Sequence, residues 1–94
     1  MNTPLSKDRY FNSEDLKIHY LAWGDPSNAA MILLHHIGSQ AHVWDNFAQN
    51  MSKEYFVLAM DMRGHGDSDW ACEGKYTTEH YASDVEALVD HLGL

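Results

Sequence analysis

Apolar and polar positions change rhythm along this chain, and each rhythm predicts a different element. Leu16 to Trp23 alternates, with Leu16, Ile18, Tyr20 and Ala22 on one side and Lys17 and His19 on the other near its start. That pattern predicts a half-buried strand. Arg9 to Asn12 reads as a shorter strand, turned by the polar cluster Asn12-Ser13-Glu14-Asp15, so the two together predict an antiparallel hairpin. Gly24-Asp25-Pro26 closes it, since Gly permits unusual φ and Pro fixes it. Ala30 to Leu34 and Tyr55 to Met60 are then apolar without alternation, the pattern of parallel strands covered on both faces.

Between these two runs Trp44, Phe47, Ala48 and Met51 fall at i, i+3, i+4 and i+7, an apolar stripe on a helix of roughly ten residues. Ser39 is placed to cap its start. Strand, helix, strand predicts a right-handed βαβ crossover. A last helix is expected from about Thr78 to Leu92, with Tyr81, Val85, Leu88, Val89 and Leu92 as its stripe, Thr77 as cap and Gly93 as stop. Helices on a mostly parallel sheet make the fold class α/β, in one domain with no internal repeat.

Composition narrows the function classes. Six Lys and Arg against fourteen Asp and Glu leave a formal charge of −8. Nucleic acid is therefore not an expected partner, because neutralising phosphates takes clustered Lys and Arg, and anionic membrane surfaces are excluded by the same sign. Cys72 is the only cysteine, so neither an internal disulfide nor a multi-cysteine metal site can form. Met1 to Asp8 has no apolar core of the kind a secretory leader needs. The longest apolar run, Ala29 to Leu34, is too short to cross a bilayer. A cytoplasmic protein is the expectation.

In open parallel sheets, chemistry gathers at the carboxyl ends of the strands. Two segments stand there: Leu34-His35-His36-Ile37-Gly38-Ser39, and Asp61-Met62-Arg63-Gly64-His65-Gly66-Asp67-Ser68-Asp69. A buried strand ending in Leu-His, a Gly-Ser, a Trp-bearing helix, a second strand and Asp-x-Arg-Gly-His-Gly-x-Ser resemble the N-terminal part of α/β-hydrolases of the esterase, lactonase and epoxide-hydrolase type. The similarity runs from about Arg9 to Leu94, and Asp61 to Ser68 is its most specific part.

The resemblance implies a nucleophile, Ser or in some branches Asp, on a sharp turn, followed in chain order by a carboxylate and a His. That turn is expected just past Leu94, so no catalytic side chain is expected among these residues. What the resemblance does place here is half of an oxyanion hole, the backbone N–H of Ile37, two residues after His35. The peptide group is the donor, so the side-chain type is free to vary. The family usually has Gly after this His, whereas this chain has His36, a candidate for lining the pocket mouth. His35, Gly38, Asp61, Arg63, Gly64, His65, Gly66 and Ser68 are assigned a structural part. Asp61 and Arg63 are expected to bond loops and backbone, Gly64 and Gly66 to turn the chain, and Ser68 to bond back to the loop. The less favoured alternative puts His65 or Arg63 against substrate.

Rival constellations are weaker. Of seven histidines, His35, His36 and His42 are nearest in sequence, but zinc needs three or four ligands converging at about 2.0–2.1 Å, and adjacent His35 and His36 at a strand end tend to point apart. No metal and no organic cofactor is expected. Gly38-Ser39-Gln40-Ala41 lacks the second Gly of a nucleophile turn, and Cys72 sits in a polar loop with no evident base. Gly64-His65-Gly66 is only part of a dinucleotide fingerprint.

The expected function is the N-terminal portion of a hydrolase that cleaves a small ester, lactone, epoxide or similar bond by nucleophilic attack, with these 94 residues inactive by themselves. The alternative is a short non-catalytic α/β protein that binds a partner, or a second copy, through an open sheet edge at Ala30 to Leu34. Self-association through that edge is expected of the isolated chain.

Overall fold

The computed structural model describes residues 6–94, so most of the N-terminal stretch read for a leader, 1–5, lies outside it. Four strands form one sheet: β1 (Lys7–Ser13), β2 (Leu16–Trp23), β3 (Ala30–Leu34) and β4 (Phe56–Met60). A 3₁₀ turn (Ala41–Trp44) runs directly into α1 (Asp45–Met51), and α2 (Thr78–Leu92) closes the described chain. Strand order is β1-β2-β4-β3, with β1 and β4 antiparallel to β2 and β3 parallel to β4. The hairpin and the parallel strand–helix–strand unit are thus both present.

The hairpin turns tightly at Glu14-Asp15, with Ser13 opposite Leu16. Glu14 carries the one positive φ of a non-glycine residue among the described residues, +56°. A conformation that costs a side-chain-bearing residue free energy needs an external hold. Here the Glu14 carboxylate meets Nη2 of Arg63 at 2.7 Å.

Each face of the sheet builds its own core. Phe11, Ile18, Tyr20, Leu58, Met60 and Met62 pack with Leu88 of α2, joined by Tyr81, Val85 and Leu92. Leu21, Trp23, Val57 and Ala59 pack on the opposite face with Ala41 and Ala48, joined by Trp44 and Met51. The helix α2 forms as its residues dictate. Thr77 accepts the His80 N–H, the His80 ring reaches back to the Thr77 backbone, and Gly93 ends the helix in a left-handed conformation.

Four expectations are corrected. The second face of β2 is not open: Lys17 is exposed, but His19, Leu21 and Trp23 are buried, Leu21 and Trp23 in one cluster with Ala41 of the 3₁₀ turn and Ala48 of α1. The strand β3 is not covered on both faces; it is half-buried, with Ala30 and Leu34 exposed, because it stands at the sheet edge with β4 as its one neighbour among the described residues. The first helix begins as a 3₁₀ turn, and its stripe is partial, since Phe47 is 45% exposed. Ser39 does not cap it; the Ala41 N–H is taken by the Asp61 carboxylate at 2.7 Å.

Candidate functional site

The loops 35–40 and 61–69 follow the parallel strands β3 and β4 and lie side by side at their carboxyl ends. Asp61, the first residue past β4, is 3% exposed and holds three elements together. Its carboxylate accepts the Ala41 N–H at 2.7 Å, the Asp67 N–H at 3.0 Å and Nδ1 of His19 at 2.7 Å. Burial pushes this carboxyl up, but the two backbone bonds and His19 outweigh it and hold Asp61 below the usual carboxylate range. The other His19 nitrogen meets Asp8 at 2.8 Å, so both ring nitrogens face carboxylates.

Ser68 closes the second loop, its hydroxyl donating to the Asp61 carbonyl at 2.6 Å and accepting the His19 N–H at 2.8 Å. Gly66 is required by space as well as by its φ of +50°: a Cβ there would stand 2.3 Å from Cγ of Asp61. Arg63 is fully buried and turns away from the loops toward α2. It donates twice to Asp84 at 2.7 Å, once to Glu14 and once to the Lys75 carbonyl. The Asp84 bonds raise the guanidinium above its ordinary value against burial, and Glu14 adds to them. The same contact lowers the Glu14 carboxyl. Ser13 adds a bond to Asp84 at 2.5 Å, so the hairpin, the β4 loop and α2 share one buried polar knot.

His35 and His65 brace the loops against each other. His35 Nε2 accepts the Met62 N–H and His65 Nε2 accepts the Gly38 N–H, both at 3.0 Å. A backbone N–H can only donate, so each ring is an acceptor at Nε2 and carries its proton on Nδ1, which bonds the carbonyl of His36 or Arg63. The rings lie 5.0 Å apart. Ile37 is 65% exposed at the loop tip, and its N–H has no acceptor among the described residues. An open cleft of about 350 Å³ beside it is lined by Leu34, His35, His36, Val43 and Trp44.

The structural group expected from sequence is therefore brought together, with one difference. Asp61, Gly66, Ser68, His35 and His65 join the two loops, whereas Arg63 serves the buried knot and Gly64 packs against Tyr76. Neither Arg63 nor its carboxylate partners faces the cleft. His35, His36 and His42 do not converge; His42 pairs with Asp45 at 3.0 Å. Among the described residues, the acidic and imidazole groups that do converge are His19, Asp61 and Asp67; the His19 ring and the Asp61 carboxylate are taken up by the bonds already described, to which Asp67 contributes only its backbone N–H. Sequence reasoning missed His19, Glu14 and Asp84. The signal for Asp84 was its place in the apolar stripe between Tyr81 and Leu88, and for His19 its place on the face shared with Leu21 and Trp23.

The chain belongs to the α/β-hydrolase fold family, whose model matches residues 29–94. It is 31% identical over 80 residues to the 3-oxoadipate enol-lactonase 2 of Acinetobacter baylyi, covering 85% of this chain and 30% of that protein. It is 39% identical over 88 residues to a bifunctional esterase/perhydrolase of Acinetobacter calcoaceticus, covering 90% and 31%. An epoxide hydrolase from Vigna radiata superposes with a TM-score of 0.88 at 26% identity, over 95% of this chain and 29% of that one. The chain thus spans less than a third of the length of these relatives. No helix among the described residues is long and apolar enough to cross a membrane.

Proposed function

We propose that this chain is the N-terminal portion of a hydrolase that opens a small ester, lactone, epoxide or similar bond, and that the N–H of Ile37 is one of the two donors that hold the anion formed in the reaction. The observation that carries this reading is the Ile37 N–H itself: it stands at an exposed loop tip with no acceptor among the described residues, while the Gly38 N–H that follows it is bonded to His65. A preorganised donor of this kind is worth about 3 kcal/mol in the transition state. The nucleophile, acid and base belong to the remaining two-thirds of the protein, as the lengths of the relatives suggest. The reaction needs no metal or organic cofactor, and the enzyme works in the cytoplasm, on neither membrane nor nucleic acid; the charge of −8 supports that last point.

The test is a panel of a p-nitrophenyl ester, a lactone and an epoxide given to the complete protein and to residues 1–94 alone. The account expects turnover of at least one class by the complete protein and none by the short chain. Active-site-dependent turnover by residues 1–94 overturns the assignment of the catalytic groups, and no turnover of any class by the complete protein overturns the hydrolase reading.

The half-exposed edge of β3 favours a second property for residues 1–94 in isolation, association with further copies through that edge. Sedimentation of the isolated chain is expected to show species heavier than 10.7 kDa, and a single monomer at micromolar concentration contradicts it.

A further inference from the structure

The loop that carries Ile37 is held by histidine rings, one of them from the opposite loop. The peptide that bears the Ile37 N–H has the His36 carbonyl at its other end, and that carbonyl accepts Nδ1 of His35 at 2.8 Å and the Ser39 N–H at 3.1 Å. In a trans peptide the N–H points opposite the carbonyl, so anchoring one aims the other. The next peptide is anchored as well: its N–H, that of Gly38, is bonded to His65 Nε2 at 3.0 Å, and its carbonyl, that of Ile37, lies 3.1 Å from Nδ1 of His36. Gly38 is exposed, has a φ of +89°, and a Cβ there would meet nothing within 4 Å. Packing therefore does not hold this turn, and the ring of His65 is what reaches it from the neighbouring loop.

We propose that His65 is a positioning residue, which fixes the direction of the Ile37 N–H by accepting the Gly38 N–H. It acts on the reacting atoms only through the loop and touches no substrate. This rests on the reading of Ile37 as an anion donor. Because the ring must accept at Nε2, a side chain can replace it only by placing an acceptor at about the same reach. Glutamine does so with Oε1, and leucine fills similar space with no acceptor.

Two measurements decide it. In the native protein, the Gly38 amide nitrogen and His65 Nε2 should show a direct coupling across their N–H···N bond by NMR, and absence of that coupling in the folded protein overturns the inference with no variant needed. In the complete enzyme, His65→Leu should lower kcat by about ten- to a hundred-fold at nearly constant KM, the loss expected when a donor is misaimed and not removed. His65→Gln should restore most of the rate and the slow exchange of the Gly38 amide. A His65→Leu variant that loses the Gly38 bond but keeps kcat overturns the positioning role. Failure of the underlying reading looks different: the native protein then hydrolyses nothing, or its rate is indifferent to the Ile37 N–H, while the Gly38–His65 coupling is still seen.

Discussion

Arg63 and Asp84 meet in two parallel bonds of 2.7 Å, and both side chains are fully buried. The arginine comes from the loop after β4 and the aspartate from the middle of α2, so this pair sets where the helix lies against the site loops. Removing one partner of such a pair leaves an uncompensated buried charge, which costs about 3–5 kcal/mol.

Asp84→Ala is accordingly expected to lower the unfolding free energy by about that amount. Urea titration of the native and variant proteins checks it, and a loss below about 1 kcal/mol would mean that Glu14 and the Lys75 carbonyl are enough to satisfy the guanidinium.

Two glycines with positive φ should differ sharply on substitution. At Gly66 an added methyl group collides with the Asp61 carboxylate at 2.3 Å, while at Gly38 it enters open space. Gly66→Ala is expected to cost about 3 kcal/mol or more, from overpacking plus backbone strain, and Gly38→Ala about 1 kcal/mol, from strain alone. Thermal melts compare them, and equal shifts would contradict the contact.

Asp61 gives stability a dependence on acid. Its carboxyl is lower in the folded chain than the ordinary value of 3.8, so its contribution is complete above that value and is lost as pH falls through the depressed folded one. Unfolding free energies measured from about pH 5 down to pH 3 should fall less steeply in Asp61→Asn than in the native protein. Identical slopes would show that the carboxylate is not the acid-sensitive group.

The start of the 3₁₀ turn that leads into α1 separates two accounts of one cap. Ser39→Ala should change stability by no more than about 0.5 kcal/mol, because its side chain makes no capping bond, whereas Asp61→Ala removes the acceptor of the Ala41 N–H and should cost several times more. A larger loss from Ser39→Ala would restore the local cap.

How much of this was legible in sequence follows from the range of the forces involved. The elements of β2, β4 and α2 were readable because their apolar spacing and caps are local: Thr77 and Gly93 bound α2 where the pattern places them. Ser39 misled because the cap comes from Asp61, 20 residues away in sequence, and no local rule reports a distant acceptor. Burial of His19 depends on Asp61 and Asp8 both reaching its ring, and the exposure of β3 depends on sheet order, so neither follows from the strand's own residues. The site loops were legible from their place at the carboxyl ends of the parallel strands and then from the resemblance, but the reciprocal bonds of His35 and His65 needed the loops to be placed side by side.

The most direct test of the central claim removes the Ile37 N–H and nothing else. Replacing the His36–Ile37 amide by an ester, with the α-hydroxy analogue of isoleucine in the complete protein, keeps the side chain, the His36 carbonyl and the Gly38–His65 bond. The account predicts a fall in kcat of about a hundred-fold or more with KM nearly unchanged, the signature of a donor used in the transition state. An unchanged kcat in a folded, substrate-binding protein would contradict it.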